Sequence, residues 1–226
     1  MKKAISTARA QVDQLIGAKE EEIVFTGCGT ESNNMVLKSL ARIYGRKTSR
    51  VITGKIEHSA VLRPCEAMEA VGFDLVRCGV DSEGRVEIDE FEVACDGAEH
   101  GFASIMWANN ETGVIQPIAE LCEIAKSRGY AFHSDAIQAV GKTPVNVREV
   151  PVDFLSISGH KFHAPKGVGA LYLREGTRFE PLIRGGGQED GRRSGTENVP
   201  YIVGLGRAAE LAYQGLEVDG HRGIME

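Results

Sequence analysis

Short apolar runs alternate with segments of helical spacing along nearly the whole chain, and this alternation constrains the fold more than any other feature. The runs at residues 101–107 and 153–157 are almost continuously apolar, as in strands that are buried on both faces. The segments between such runs repeat apolar residues three or four positions apart, as in amphipathic helices. The pattern predicts an α/β fold with three layers, in which helices cover both faces of a mostly parallel central sheet.

Apolar spacing and the residues that begin and end helices predict the individual elements. Helices are expected over residues 5–16, 30–44, 59–70, 117–128 and 199–212, and strands over residues 22–26, 50–53, 73–78, 101–107, 130–133, 153–157 and 167–173. Gly17 is expected to end the first helix, and Pro117 to occupy the first position of the fourth. The loop between Ile157 and Val168 is too short for a parallel crossover, so one strand is expected to be antiparallel to its neighbour. Strand order stays open. Residues 180–198 are expected to form a long irregular segment, of a length that is usually functional or disordered.

The composition is that of a globular chain that is long enough for one large core or two small ones. The 226 residues are 42% hydrophobic and 26% charged. A formal charge of −6 without a basic stripe argues against a nucleic-acid partner. Five cysteines, an odd number with no Cys-x-x-Cys pair, favour reduced thiols over a disulfide framework or a zinc site. No apolar run reaches membrane-spanning length and no secretion signal follows Met1, so we expect a cytoplasmic protein with no membrane partner.

Lys161 follows the apolar run 153–157 in the stretch Ser158-Gly159-His160-Lys161. A lysine at a strand exit, among small residues and hydroxyl, imidazole and backbone donors, is well placed to form a Schiff base with pyridoxal phosphate (PLP). This hypothesis requires a phosphate site, a partner for the pyridine nitrogen and contacts to the ring. In open α/β sheets such groups are expected beyond the carboxyl ends of other strands.

Candidates for the phosphate site and the nitrogen partner each have a simpler alternative. The glycine-rich turn at residues 27–32 leads into a helix near Thr30, whose free N–H groups can hold a phosphate, although a plain capped helix start has the same pattern. It is not a P-loop, because no Gly-Lys-Ser/Thr follows. Asp135 at a strand end can keep a pyridinium nitrogen protonated, with Gln138 turned toward the same ligand. The alternative is an aspartate that caps the next turn.

Candidates for ring contacts follow two further strands. His58 can stack on a planar cofactor and move a proton near neutral pH, or it can be a structural histidine. The loop at residues 107–113 carries the amides of Asn109 and Asn110. These can meet a cofactor oxygen or a substrate carboxylate, or the loop can be a simple turn.

Taken together, six segments in this order resemble the cysteine desulfurases, which belong to the class V aminotransferase group of fold-type I PLP enzymes. The resemblance covers nearly the whole chain. Its motifs are Phe25-Thr26-Gly27-Cys28-Gly29-Thr30-Glu31-Ser32-Asn33-Asn34, Glu57-His58-Ser59-Ala60-Val61, Asn109-Asn110-Glu111-Thr112-Gly113, Asp135-Ala136-Ile137-Gln138, Ser158-Gly159-His160-Lys161 and Arg193-Ser194-Gly195-Thr196-Glu197-Asn198. The loop at 109–111 and the segment at 193–196 favour the branch that serves iron–sulfur cluster assembly.

The resemblance implies a role for each site residue. Lys161 would carry the cofactor covalently, His58 would stack on its ring, and Asp135 would pair with the pyridine nitrogen. The remaining roles it implies are a phosphate site at Gly29, Thr30, Ser158 and His160, and contacts to the ring oxygen or the substrate carboxylate at Gln138 and Asn110. Thr196 would reach the phosphate of the other subunit in a homodimer.

The implied reaction converts L-cysteine to L-alanine and passes sulfur, as a protein-bound persulfide, toward an acceptor or scaffold protein. Lys161 or His58 would shuttle protons, and a thiolate would attack the substrate sulfur. In the family, the attacking cysteine and a carboxylate-binding arginine lie C-terminal to the residues present here, and an N-terminal segment precedes them. We therefore expect residues 1–226 to be the large PLP-binding domain alone, without the small domain, and turnover by it stays open.

Alternatives remain for the missing groups and for the function. Cys28 is the one cysteine within a motif, and a thiol near a helix N-terminus is a candidate nucleophile, whereas a small buried thiol is the simpler interpretation. Arg192 and Arg193 can bind an anion or belong to a solvated loop. The chain as a whole can also be a non-catalytic PLP-binding, dimerising module, or a related lyase acting on selenocysteine or cysteine sulfinate.

Overall fold

The computed structural model describes residues 1–45, 49–98 and 100–218; the last part of the predicted domain, residues 219–226, lies outside the described residues. Helices and strands alternate along the chain, as the apolar pattern predicts. The helices are α1 (Lys2–Ile16), α2 (Gly29–Tyr44), α3 (Ser59–Glu69), α4 (Ile88–Asp96), α5 (Ile118–Ser127) and α6 (Val199–Val218). The strands are β1 (Ile23–Thr26), β2 (Ser49–Gly54), β3 (Asp74–Cys78), β4 (His100–Ser104), β5 (Ala131–Asp135), β6 (Phe154–Ser158) and β7 (Gly169–Leu173).

The strands form one seven-stranded sheet in the order β1-β7-β6-β5-β4-β2-β3. Strands β3, β2, β4, β5 and β6 pair in parallel. Strand β7 is antiparallel to both of its neighbours, β6 and β1. The prediction of a mostly parallel sheet with one antiparallel strand is confirmed.

Two apolar cores, one on each face of the sheet, confirm the three-layer prediction. Helices α2 and α3 bury residues such as Leu37 and Val61 on one face. Helices α1, α4, α5 and α6 cover the other, with Ile16, Phe91 and Leu205 among their buried residues. Both helical layers are required because strands that are apolar on two faces must be shielded from water twice.

Helix ends show where local signals suffice and where they do not. Gly17 ends α1 in the left-handed conformation (φ 69°), as predicted, and its N–H donates to the Asp13 carbonyl. The expected position of Pro117 is wrong by one residue, because it precedes the first turn of α5 as its N-cap. Helix α4 was not predicted, although Ile88, Phe91 and Cys95 have helical spacing.

Among the described helices, none combines the length and apolar character that crossing a bilayer requires.

The irregular segment at residues 180–198 is held in place by ion pairs. Glu189 is buried and accepts hydrogen bonds from both Arg9 Nη atoms, at 2.8 and 2.9 Å, and from the Phe25 N–H at 2.8 Å. Its backbone and that of Asp190 lie in the left-handed region (φ 50° and 56°), which residues other than glycine rarely adopt. The bidentate Arg9–Glu189 pair therefore stabilises a strained turn against β1.

Candidate active site

A pocket of about 200 Å³ lies beyond the carboxyl ends of β1, β2, β4, β5 and β6. Nine of the ten site residues predicted from the sequence line it: Gly29, Thr30, His58, Asn110, Asp135, Gln138, Ser158, His160 and Lys161. The structure also adds Cys28, Met106, Ala108 and Ile137 to the lining. Residues that are far apart in sequence thus converge because the parallel strands end at one edge of the sheet.

Thr196, the tenth predicted residue, lies outside this pocket. It is exposed and borders a second pocket of about 190 Å³, together with Thr26, Gly27 and Arg193. The Gly27–Gly29 turn contributes residues to both pockets. Thr196 is therefore near the α2 end of the site but does not contribute to the pocket of its own chain.

The first turn of α2 approaches the pocket as closely as packing allows. A Cβ atom at Gly29 would lie 2.1 Å from Cδ1 of Ile137, so a side chain at this position would require Ile137 to move. Glu31 accepts a hydrogen bond from the Gly27 N–H at 2.8 Å and pairs with Arg193 Nε at 2.7 Å. Gly29 and Thr30 begin α2 and line the pocket, so the positive dipole end of this helix makes this part of the pocket suited to an anion.

Asp135 is 4% exposed and makes two hydrogen bonds, both with neutral donors. Its Oδ1 accepts from the Ile137 N–H at 3.0 Å, which is the contact that the turn-capping alternative predicts. Its Oδ2 accepts from Asn33 Nδ2 at 2.7 Å. Burial raises the pKa of this carboxyl, while its two donors and the nearby His58 and Lys161 lower it. The site thus contains a desolvated carboxylate that would be stabilised by a cationic ligand group.

Asn33 is a site residue that the sequence analysis quoted within a motif but gave no role. It is fully buried on α2, and its Oδ1 has no hydrogen-bond partner among the described residues. A polar residue on the apolar face of a helix, three positions after Thr30, is a signal that sequence alone carries. Its contact with Asp135, 102 positions away, is not.

Lys161 lies in a short 3₁₀ turn, Gly159–Phe162, that directly follows β6. Ser158 Oγ and His160 Nδ1 are 3.0 Å apart at the start of this turn. A Cβ atom at Gly159 would lie 2.8 Å from Cδ1 of Leu205, so α6 presses directly on the turn. Burial, together with the lysines at 161, 166 and 142, lowers the pKa of His160.

His58 has a structural role in addition to lining the pocket. Its Nδ1 accepts a hydrogen bond from the Ala60 N–H at 3.1 Å and so caps α3. In the neutral ring this leaves Nε2 as the nitrogen that carries the proton. Both interpretations of this histidine from sequence are therefore compatible with one geometry.

The two asparagines of the 107–113 loop differ in their contacts. Asn109 is buried, donates to the Ile56 carbonyl at 2.9 Å and accepts from the backbone N–H groups of Glu111 and Thr112. Asn110 is exposed, lines the pocket and donates from Nδ2 to Glu111 Oε1 at 2.6 Å. Asn109 shapes the loop, and Asn110 is the amide that a ligand can reach.

Two buried ionisable groups behind the pocket were not predicted. Glu57 accepts from the Met106 N–H at 2.8 Å, and burial raises its pKa well above the usual value. His133 lies between the hydroxyls of Ser104 and Ser156, at 2.8 and 2.9 Å, and burial lowers its pKa to about 3. Neither residue lines the pocket, so we expect both to support the strand ends rather than meet a ligand.

The structure separates the five cysteines into two groups. All are free thiols, and Cys28 alone is half-buried and lines the pocket. Burial raises the pKa of the other four: Cys65, Cys78 and Cys122 to about 12, and Cys95 to about 11. These four are unreactive at neutral pH.

Arg192 and Arg193 are half-buried and hydrogen-bonded within the fold. Arg193 pairs with Glu31, which raises its pKa. Arg192 Nε donates to the Glu189 carbonyl at 3.1 Å, and burial lowers its pKa. The structure therefore favours a role in fixing the segment over anion binding.

Comparison with known proteins decides the family. The model of the aminotransferase class-V family matches residues 1–222. This chain belongs to that family. Among its class-V relatives, the cysteine desulfurase of Nostoc sp. is 52% identical over 209 residues, which are 92% of this chain and 52% of that protein. The cysteine desulfurase IscS of Dictyoglomus turgidum is 52% identical over 216 residues, which are 96% of this chain and 54% of that protein.

Solved structures with the same fold include two proteins that are about 40% identical to this chain. A NifS-like protein matches with a TM-score of 0.91 and 42% identity, covering 96% of this chain and 60% of that chain. SspA, solved in complex with cysteine, matches with a TM-score of 0.88 and 40% identity, covering 92% and 60%. This class-V chain spans about half the length of the curated relatives it matches.

Proposed function

We propose that this chain is the PLP-binding part of a cysteine desulfurase. The observation that carries the proposal is that the buried carboxylate of Asp135 and the amine of Lys161 line the same small pocket. A Schiff-base lysine and an acid for the pyridine nitrogen are the two groups that PLP chemistry requires of a protein.

The residues present fit PLP. A pocket of about 200 Å³ suits a single-ring cofactor rather than a dinucleotide. A phosphate could bind at the α2 N-terminus, where Gly29 and Thr30 line the pocket together with Ser158 and His160. A pyridinium would be a cationic partner for the Asp135 carboxylate, which is desolvated and hydrogen-bonded by neutral donors.

In this proposal the chain's own residues bind, orient and move protons. Lys161 holds the cofactor covalently, and Asp135 keeps its ring nitrogen protonated. When bound, PLP supplies an electron sink for bond changes at the substrate Cα. Once the substrate amine has replaced it on the cofactor, Lys161 Nζ would be free to take or return the Cα proton. His58 is a second candidate for this step through Nε2, because Nδ1 is occupied by the Ala60 N–H.

L-Cysteine is the proposed substrate, and the proposed products are L-alanine and a protein-bound persulfide for iron–sulfur cluster assembly. The names of the relatives support this reaction, as does the cysteine bound in the SspA structure. A sulfur-acceptor or scaffold protein would receive the persulfide, in the cytoplasm. We further propose a homodimer, in which the exposed Thr196 contributes to the pocket of the other subunit.

A second candidate is a PLP-binding module that does not turn over cysteine. Four of the five thiols are buried and therefore poorly placed to attack a substrate sulfur. The half-buried Cys28 lies at the α2 end of the pocket, where a phosphate is expected to bind, and both observations favour this candidate. A class-V lyase acting on selenocysteine or cysteine sulfinate is the related alternative, since such reactions depend less on a protein thiol.

The test begins with cofactor binding. The 226-residue chain is mixed with PLP, treated with borohydride and mapped by mass spectrometry, with Lys161→Ala as the control. We expect a visible absorption band and label on Lys161. Absence of both from the wild-type chain would refute every form of the proposal.

Turnover then separates the candidates. Alanine and sulfide are measured with L-cysteine as substrate, and alanine alone with selenocysteine and cysteine sulfinate. Alanine release from cysteine favours the desulfurase, and release from the other substrates alone favours a lyase. Labelled Lys161 without any product favours the module.

A further inference from the structure

Lys142 contacts a pocket residue from outside the pocket. Its Nζ donates a hydrogen bond to Oε1 of Gln138 at 2.6 Å, and Gln138 lines the pocket. We propose that Lys142 is a positioning residue that fixes the Gln138 amide with its Nε2 group turned toward the ligand. The inference rests on the proposed function, because it concerns how one residue of the same cofactor site is oriented.

The chemistry of the two side chains sets the direction of the amide. A lysine ammonium has three donors and no acceptor, so only the oxygen of Gln138 can face it. The two ends of a glutamine amide have almost the same shape, and without Lys142 either end can turn to the ligand. With Oε1 held, Gln138 presents a donor. It therefore selects an acceptor on the ligand, such as an anionic ring oxygen.

The backbone fixes Lys142 relative to the Lys161 turn. The Lys142 N–H donates to the Ala139 carbonyl at 3.0 Å, and Gly141 before it is in the left-handed region (φ 81°). A Cβ atom at Gly141 would lie 2.7 Å from Cβ of Phe162, which is buried and follows Lys161 directly. Close packing of these two segments fixes the backbone of Lys142 relative to the Lys161 turn.

The charge of Lys142 strengthens the effect of its hydrogen bond. Burial and the positive charge of Lys161 lower the pKa of Lys142, so the two cations lie close enough to interact. A half-buried ammonium bound to Oε1 polarises the amide and makes Nε2 a stronger donor. The other charged or titratable groups around the pocket are Cys28, Glu57, His58, Asp135, His160, Lys161 and Lys166.

The test uses the PLP-loaded full chain and measures its visible absorption against pH, together with the PLP Kd. Lys142→Met removes a donor and a cation near the ring oxygen, which favours protonation of the cofactor. We expect the pH midpoint of the visible band to rise by about one unit and the Kd by about fivefold. Lys142→Arg, which keeps a cationic donor, should stay close to the wild type.

Lys166→Met is the matched control, because it removes one positive charge near His160 without touching Gln138. We expect it to move the midpoint by less than about 0.3 unit. Equal midpoints for Lys142→Met and Lys166→Met would overturn the inference, as would a wild-type midpoint for Lys142→Met. If the wild-type chain shows no PLP band, the proposed function fails and the inference fails with it.

A second variant tests the direction of the amide even if Lys142→Met does not fold. Gln138→Glu keeps an oxygen for Lys142 but turns a second acceptor, instead of a donor, toward the ligand. We expect it to weaken PLP binding by about tenfold or more. Wild-type PLP affinity in Gln138→Glu would show that Gln138 does not act as a donor.

Discussion

Asp135 and Asp153 are both buried, and they lie at opposite ends of two neighbouring strands: Asp135 at the carboxyl end of β5 and Asp153 just before the amino end of β6. Asp153 precedes β6, where its Oδ1 accepts from the Lys126 ammonium at 2.6 Å and its Oδ2 from the Phe132 N–H at 2.8 Å. Asp135 ends β5 and is hydrogen-bonded by neutral donors alone, so that burial raises its pKa. The fold compensates one carboxylate with its own cation and leaves the other to be compensated by a ligand. Only the second arrangement is useful for holding a pyridinium.

The largest effect is expected from Asp135→Asn. Loss of a buried charge pair with the cofactor should weaken PLP binding about 100-fold or more. The free energy of unfolding of the apo chain should change by less than about 1 kcal/mol, because Asn33 can turn its unpaired Oδ1 to the new amide. A PLP titration and urea unfolding measure the two quantities. Unchanged PLP affinity of Asp135→Asn would contradict the inference that Asp135, unlike Asp153, is compensated by the cofactor.

Asp153→Asn should show the reverse behaviour. Its loss of the Lys126 pair should lower the free energy of unfolding by about 2–3 kcal/mol. PLP affinity should stay near that of the wild type, since Asp153 lies at the other end of the sheet. Lys126→Met provides the control from the partner side. A large loss of PLP affinity in either variant, with the fold intact, would contradict the inference that Asp153 stabilises the fold and that Asp135 serves the cofactor.

His133 lies between these two ends of the sheet and offers a pH test. Its pKa is depressed to about 3 in the fold, so the unfolded chain binds the proton first as pH falls below about 6.5. The stability that the neutral ring contributes is therefore present above this pH and is lost on acidification. Between pH 6.5 and pH 5 we expect a loss of about 2 kcal/mol relative to His133→Gln. Parallel pH profiles for the wild type and this variant would show that His133 does not titrate in this way.

Asn33→Ala should produce the smallest effect. It removes one neutral donor from Asp135 and should weaken PLP binding about fivefold, which corresponds to about 1 kcal/mol. Asn34→Ala is the matched control, because Asn34 is the next residue on α2 and donates to the Thr30 carbonyl rather than to Asp135. Equal PLP affinities for the two variants would indicate that Asp135 needs no support from α2.

The site residues that lie at or just after strand ends could be predicted from the sequence. Asp135 ends β5, and His58 and Lys161 lie within four residues of the ends of β2 and β6; parallel strands bring these ends to one edge. Asn33 and Lys142 could not be given their contacts in this way. Asn33 reaches Asp135 from α2, a distant part of the sequence. Lys142 reaches Gln138 only because Gly141 lets the chain turn.

The amino-acid sequence by itself determined the alternation of strands and helices, the end of α1 at Gly17 and the set of residues at the strand exits. These follow from apolar periodicity and local backbone preferences, which act over a few residues. Strand order, the contribution of α4 to the core and the pinning of residues 180–198 by Arg9 and Glu31 were decided by tertiary structure. So was the contrast between the two aspartates. Whether a buried carboxylate meets a cation or a neutral amide depends on which distant side chain packs against it, and that is a property of the assembled sheet.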